Sequence, residues 1–406
     1  MSSDNEMLES QEETIQSYEF TTHAQNKMDD ILEVMAHVEH GADFLYQKLL
    51  SELPPAFGDY LKRYVFERYG LSVRYDDYRE VDLSIYSDII VNAFNANLAK
   101  HSFSETATKL SQFVRGCLTQ ASVTRDTVFL LGFGLAMDVA DVSAFLLKAL
   151  KERDFNFKDP HEVLYWYCFK EALPFCSMEK LKKAFDAKPA VKDSSAFYEQ
   201  TVHIRSMFEN VSGSEELLRS LSQFKSTNRA DSRSATAYEH FMELYDECSK
   251  IVSSLEHDGI ANNTRIERTL YGSMLINTSG NLPKTEEFTL SAHFGKTRLS
   301  RHRLGRIISK KDQVDRFDLI TMNFFIYAHD ERYEFNDRDK QNERIRRNRH
   351  RSAAFIESTN EILNRCSMWE LYVANPYELF LMICISDSKP FKTFSDVWDK
   401  SYRDDI

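Results

Sequence analysis

The chain has 406 residues, of which 42% are hydrophobic and 13% aromatic, and its formal net charge is −12. Its length and apolar content suit two or three domains with real cores. The low counts of 12 Gly and 8 Pro argue against β-sandwiches, barrels and glycine-rich nucleotide folds. Because the net charge is negative, the surface as a whole is not a binder of polyanions. The sequence therefore predicts an all-α protein.

The predicted regions follow from apolar residues at helical spacing and from turn signals between them. Asp159-Pro160, for example, is typical of a helix start, with Asp as the cap and Pro in the first turn. In chain order, the regions are a disordered acidic tail (1–16), N-terminal helices (17–103), a first multi-helix module (104–190), a helical and loop linker (191–285) and a second, basic module (286–406).

The cysteines and the N-terminal residues bear on the compartment. The six cysteines contain no Cys-x-x-Cys pair and most lie in apolar helical stretches, so we expect buried free thiols in a reducing environment. The first sixteen residues hold acidic but no basic side chains, unlike a secretory signal. The longest apolar runs are too short to span a bilayer. These features predict a cytoplasmic protein with no membrane association, no metal and no cofactor.

Similar residues recur in the two modules at a constant offset, which predicts that both are copies of one unit. A repeated unit has to bury a similar apolar face in each copy. The residues Ser143, Leu146, Leu147, Pro160, Glu162 and Cys168 correspond to Thr359, Ile362, Leu363, Pro376, Glu378 and Cys384. Upstream, an Arg and an Asp precede an apolar run in both modules, at Arg125 and at Arg316.

The stretch from Ser300 to Ile308 is followed by a basic loop and by the apolar run that begins at Arg316. It resembles the recognition helix and following helix of lambda-repressor-like helix-turn-helix regulators. The run from Thr124 in the first module is similar to the fourth and fifth helices of that fold. The resemblance implies degenerate helix-turn-helix modules in which one helix enters the DNA major groove. Such a helix needs a buried side, here Leu304 and Ile307, and a side rich in hydrogen-bond donors.

Charge concentrates in the second module, where residues 290–352 contain 16 Lys and Arg against 9 Asp and Glu, a local charge of +7. A cationic segment on an acidic protein is typical of a nucleic-acid footprint, because Arg reads guanine and Lys and Ser hold phosphates. We expect Arg301, Arg303 and Arg306 to point outward. The residues predicted to contact nucleic acid are Thr297, Arg298, Ser300, Arg301, His302, Arg303, Arg306, Lys310, Lys311, Arg344, Arg346, Arg347, Arg349 and Arg351.

Three functions stay open, in this order. The first is a regulator that binds nucleic acid, above all duplex DNA, through the second module. The second is a protein-interaction, scaffold or effector-inhibiting protein, which the overall acidity favours, as does the lack of a tight glycine turn in the first module. The third is an RNase similar to the HEPN nucleases, for which Arg233 with His240, or Arg344 with His350, has suitable spacing. No other catalytic motif stands out, so we predict a non-enzymatic protein, for which a dimer is one option.

Overall fold

The computed structural model describes residues 41–71, 78–97, 107–188, 208–227, 233–257, 294, 301–333 and 341–403. Every regular element in these ranges is helical, which confirms the predicted all-α class. A π-helical turn, Phe145–Ala149, continues α6, and a 3-10 turn, Glu331–Tyr333, follows α12. In chain order, the α-helices are α1 (Gly41–Glu52), α2 (Phe57–Arg68), α3 (Leu83–Ala96), α4 (Ala107–Thr119), α5 (Arg125–Gly134), α6 (Val139–Ala144), α7 (Pro160–Lys170), α8 (Phe175–Asp186), α9 (Ser214–Thr227), α10 (Arg233–His257), α11 (Arg301–Ile308), α12 (Arg316–Ala328), α13 (Gln341–Arg365), α14 (Pro376–Ser386) and α15 (Pro390–Arg403).

The buried side chains of these helices form two separate apolar cores. The first core is built by α2 to α9 and contains Phe94, Phe145 and Trp166. The second is built by α1 and by α10 to α15, with Phe324 and Phe355 among its fully buried rings. Across the described ranges, no helix combines the length and apolarity that crossing a membrane requires.

The two cores divide the chain differently from the predicted regions. Helix α1 belongs to the predicted N-terminal region, yet it packs on α14 and α15 in the second core, and Asp43 pairs with Lys400. Helices α2 and α3 join the first core. The predicted linker is also divided, since α9 packs in the first core and α10 in the second. Helical periodicity identifies an apolar face, but it does not say which surface covers that face. The predicted tail, 1–16, lies outside the described residues.

Short polar caps start the helices that carry the arginine clusters described below. Thr124 caps α5 and Asp315 caps α12, each with its side chain accepting a backbone N–H of the first turn. Asp159 and Asn375 cap α7 and α14 in the same way, and each is followed by Pro at the first helical position. The predicted helix start at Asp159-Pro160 is thereby confirmed. A Pro there loses no hydrogen bond, because the first N–H groups of a helix have no partner within it.

The loop before α7 and the loop before α14 follow the same path. The helical segment before each loop ends at Ala149 in the first module and at Arg365 in the second. Two residues later, Lys151 (φ +53°) and Ser367 (φ +55°) both adopt left-handed backbone. The helical segments that lead into the two loops differ, because the first ends in a π-helical turn whereas α13 is α-helical to its end.

Candidate nucleic-acid interface

Helix α11 holds the middle of the predicted contact surface. Leu304 and Ile307 are fully buried, as predicted for the inner side of a recognition-like helix. The helix includes Arg301 and His302, but their side chains lie outside the described part of the structure. The predicted contacts Thr297, Arg298 and Ser300 also lie outside the described residues.

Arg303 does not point outward as predicted. Its Nε donates to Asp318 Oδ1 at 2.8 Å and its Nη2 to Oδ2 at 2.6 Å. The Asp318 side chain is only 1% exposed and also accepts the backbone N–H of its helix cap, Asp315, at 2.7 Å. Burial raises the pKa of Asp318 to about 6, although the bonds from Arg303 act against that rise. Arg303 therefore joins α11 to α12, because a buried carboxylate needs a counterion.

The other cations at the end of α11 also make contacts within the module. Arg306 forms a two-point pair with Asp312, at 2.8 and 2.7 Å, with its side chain 42% exposed. Lys310 places its ammonium 4.7 Å from the ring centre of Tyr238 on α10. Lys311 is exposed. Of the predicted contacts at this end of α11, Lys311 is the one whose charge has no contact to another described residue.

The arginines of α13 divide between two sides of the helix, as a period of 3.6 residues requires. Arg346 and Arg349 are exposed and make no ion pair with any described residue. Arg344 and Arg347 are half-buried, and Arg347 bonds Glu343 at 2.7 Å. The sequence pattern alone placed all of them in one cationic patch.

Arg351 corrects the prediction most clearly, since only 3% of it is exposed. Its Nε donates to the carbonyl of Ile385 at 2.9 Å, and its Nη2 donates to the carbonyl of Asp387. These carbonyls lie at the C-terminal end of α14, where backbone acceptors lack helical partners. Burial lowers the pKa of Arg351 to about 10. Arg351 is thus a helix-capping residue and not a surface contact.

The structure does not bring together Arg344 and His350, one of the two Arg–His pairs considered for an RNase, while the pair of Arg233 and His240 stays a prediction. On α10, His240 Nδ1 lies 2.9 Å from the Glu243 carboxylate, while the side chain of Arg233 lies outside the described residues. On α13, Arg344 and His350 lie about 120° apart around the helix, because six residues span less than two turns. His350 instead lies against Tyr333, with Nδ1 3.3 Å from the hydroxyl oxygen.

Sequence reasoning missed a cluster around Arg125, which we call the first arginine cluster. Arg125 Nε and Nη2 donate to the two carboxylate oxygens of Glu162 at 3.0 and 2.7 Å. Its Nη1 also donates to the carbonyl of Arg153 at 2.7 Å, and its Nη2 to that of Asp154 at 3.1 Å. Glu162 Oε2 in turn accepts the backbone N–H of Asn156 at 2.7 Å. The pair thereby fixes the loop before α7.

The second arginine cluster, around Arg316, uses the same partner positions, although different guanidinium nitrogens donate. Arg316 forms a two-point pair with Glu378 and donates to the carbonyls of Trp369 and Glu370 at 3.1 and 3.0 Å. Glu378 Oε2 accepts the backbone N–H of Tyr372 at 2.7 Å. The loop residues and the glutamates of the two clusters correspond at the same offset that separates Pro160 from Pro376. Trp369, Glu370, Tyr372 and Glu378 thus match Arg153, Asp154, Asn156 and Glu162. The matched Arg and Glu positions carry the sequence signal for these clusters, but helical periodicity does not show that the two residues lie close together.

One additional carboxylate distinguishes the first cluster. Glu152 Oε2 lies 3.3 Å from Arg125 Nη1, whereas Met368 occupies the matching position in the second module. Burial raises the pKa of Glu152 to about 7, while Arg125 and Arg316 act to lower it and Asp315 acts to raise it. Glu152 therefore lies in the field of arginines from both modules.

The two loops face each other, and we call this contact the module junction (residues 151–158 against 364–372). Asn156 Nδ2 donates to the carbonyl of Ser367 at 2.9 Å. The Arg153 guanidinium lies 5.5 Å from the ring centre of Trp369 and 5.1 Å from that of Tyr372. Arg153 and Trp369 hold matching positions in their loops. Contact between matching positions is characteristic of an interface with two-fold symmetry.

Two further observations bear on chemistry. Within the described ranges, no His, Cys, Asp and Glu side chains are grouped as metal ligands, and all six cysteines are free thiols.

Comparison with protein-family models found no match, and comparisons with curated proteins and with solved structures found none either.

Proposed function

We propose that this chain is a non-enzymatic interaction protein whose two helical modules present a docking surface to a partner protein. The observation that carries the proposal is the use of the predicted nucleic-acid contacts inside the fold. Arg303 neutralises Asp318, Arg306 neutralises Asp312, and Arg351 caps a helix. Among the predicted contacts whose side chains the structure describes, Lys311, Arg346 and Arg349 are exposed and make no ion pair with a described residue, and we call them the exposed cationic set.

The size of this set bears on DNA binding. Each neutralised phosphate contributes about −0.9 to the slope of log affinity against log salt on duplex DNA. The three cations of the exposed cationic set would therefore contribute roughly −3 to this slope, against the six to ten contacts of strongly salt-dependent binders. The net charge of −12 opposes approach to a polyanion over the rest of the surface.

The surface we propose lies on the outer side of α13. Ile345 is a large apolar side chain that is 43% exposed, and it is next to Arg346. Arg349 follows Ile345 by one helical turn and is also exposed. An apolar centre flanked by arginines is typical of protein interfaces, in which Arg is enriched. A partner with an apolar side chain and nearby carboxylates would complement it.

A photo-crosslinking amino acid at Ile345 tests the proposal in the full-length chain. We expect a discrete protein adduct that is lost when R346E and R349E are added, because the partner carboxylates are then repelled. The matched control is the same probe at Leu147, which is 40% exposed on the first module. Equal adducts at both positions, or adducts that a nuclease removes, would contradict the protein-partner proposal.

Nucleic-acid binding is the second candidate, and the exposed cationic set is the observation that favours it. Fluorescence anisotropy with duplex DNA at several salt concentrations distinguishes the two. We expect weak binding with a slope no steeper than about −3, abolished by K311E/R346E/R349E. A steeper slope, with submicromolar affinity at moderate salt, would restore the DNA-binding regulator as the first candidate.

We also propose that the two modules derive from one ancestral unit. Support comes from the two arginine clusters, in which each arginine donates to a glutamate and to loop carbonyls at matching positions, and each glutamate accepts a backbone N–H at a matching position. A cytoplasmic location is part of the proposal as well, and the six free thiols support it, since reduced cysteines are typical of that compartment.

A further inference from the structure

The module junction contains three hydrogen-bond donors that lack acceptors. Arg153 Nε, Arg316 Nε and Trp369 Nε1 are each buried, and none has a partner in the described part of the chain. They share one region, because the ring of Trp369 lies against Arg153 and its carbonyl accepts a bond from Arg316. Buried donors in folded proteins nearly always have an acceptor. Three unmatched donors in one place mark a position at which an added acceptor would stabilise the fold.

One guanidinium of the junction has no carboxylate partner among the described residues. Arg125 and Arg316 each pair with a glutamate, but the Arg153 guanidinium contacts only aromatic rings among the described residues. Burial and Arg316 both lower the pKa of Arg153, while Glu378 and Glu370 act to raise it. Glu370 does not pair with it in the structure; its carboxylate accepts a bond from Asn364 at 3.0 Å. Arg153 is therefore a partly buried cation in need of a counterion.

We propose that the module junction binds a small free oxyanion, a phosphate or a carboxylate, through Arg153, Arg316 and Trp369. Guanidinium and indole N–H groups donate only, so the ligand has to supply acceptors alone. Guanidinium groups match oxyanions in geometry as well as in charge. Arg153 comes from the first module and the other two residues from the second, so the bound oxyanion bridges the modules and stabilises their docked arrangement.

Thermal unfolding of the full-length protein at pH 7.5 tests this proposal. The probes are sodium phosphate and sodium acetate, each compared with sodium chloride at matched ionic strength. We expect a saturable rise in Tm of a few degrees with at least one oxyanion, because a ligand bound to the folded state stabilises it by mass action. The probe that saturates at lower concentration identifies the ligand as phosphate-like or carboxylate-like. If both salts act like chloride, the donors are satisfied by water alone and the proposal is wrong.

Three variants locate the effect. R153Q keeps the approximate shape but removes the cation, and we expect it to abolish the rise in Tm. W369F keeps a ring but removes the indole N–H, and we expect at least a several-fold weaker apparent affinity. R115Q, at an exposed arginine of α4 outside the junction, is the matched control and should respond like the wild type.

The control outcomes complete the test. A rise in Tm that persists in both R153Q and W369F would place the anion elsewhere and overturn the proposal. If circular dichroism shows that R153Q does not fold, W369F and the charge-retaining R153K decide the question. Both are expected to bind more weakly than the wild type, and unchanged binding in both would contradict the proposal.

Discussion

The first and second arginine clusters join matching positions in different surroundings. In the first, Arg125 has two carboxylates within reach, Glu162 and Glu152. In the second, Glu378 is the one carboxylate among the described residues that pairs with Arg316, and it is completely buried. Burial accordingly raises the pKa of Glu378, even though Arg316 acts against the rise. The comparison teaches that breaking equivalent ion pairs lowers the free energy of unfolding by different amounts. The amount depends on whether the charge that remains is in contact with water or with another counterion.

The largest expected effect is therefore that of E378Q, compared with E162Q. Removing one partner of a buried ion pair costs about 3–5 kcal/mol, because the other charge stays buried without compensation. We expect E378Q to lower the free energy of unfolding by about this amount and E162Q by less, roughly 1–3 kcal/mol, since Arg125 retains Glu152. Urea denaturation followed by circular dichroism measures both. Equal losses would show that the additional carboxylate does not matter.

Next in size is the loss expected for R303A, which leaves Asp318 buried without its counterion. We expect a loss of about 2–4 kcal/mol, reduced when D318A is added, because the unpaired carboxylate is then absent. R306A breaks a half-exposed pair and should cost at most about 1 kcal/mol. R115A, at an exposed position on α4 of the first module, is the matched control and should be nearly neutral. Denaturation of the four variants under one condition checks this order.

The pH dependence of stability should differ with the residue at position 152. The pKa of Glu152 is about 7 in the folded protein against a usual 4.5, so the folded state holds the proton more tightly over that range. Stability contributed by Glu152 therefore falls as pH rises from about 4.5 to about 7. E152M introduces the residue of the second module and removes this contribution. We expect the wild type to lose stability relative to E152M between pH 5 and pH 8.

A constant difference between wild type and E152M across this range would contradict the assignment of the pH effect to Glu152. Asp318, whose pKa is also raised, contributes to both proteins in the same direction and cancels in the difference.

The smallest expected effect separates two glycines. Gly305 lies within α11, and a Cβ added there would meet nothing within 4 Å. G305A should therefore stabilise the second module by about 0.5–1 kcal/mol through helix propensity. Gly58 in α2 is the contrasting case, because a Cβ would lie 2.2 Å from the carbonyl oxygen of Leu118. G58A should destabilise the first module, and a stabilising G58A would show that this close approach of two backbones can relax.

Much of the fold could be predicted from local sequence. The all-α class follows from apolar spacing and few glycines and prolines, and the start of α7 follows from Asp159-Pro160. The buried side of α11, with Leu304 and Ile307, was also predictable. These features depend on interactions within one or two helical turns, which sequence periodicity reports directly. The destination of α1 was not predictable, because an amphipathic helix can bury the same face against either core.

The candidate site shows the limit of this reasoning most clearly. The sequence by itself determined where arginines are concentrated and which positions match between the modules. Only the tertiary structure decided which of those arginines are exposed. Arg303 donates to an acceptor on α12 that is 15 residues away in sequence, and Arg351 to one on α14 that is 34 residues away. The two modules are in contact through Arg153 and Trp369. The physical reason is that buried acceptors need hydrogen-bond donors, so an arginine that lies near such an acceptor in the fold pairs with it. The composition of a segment does not show which acceptors lie near it in space.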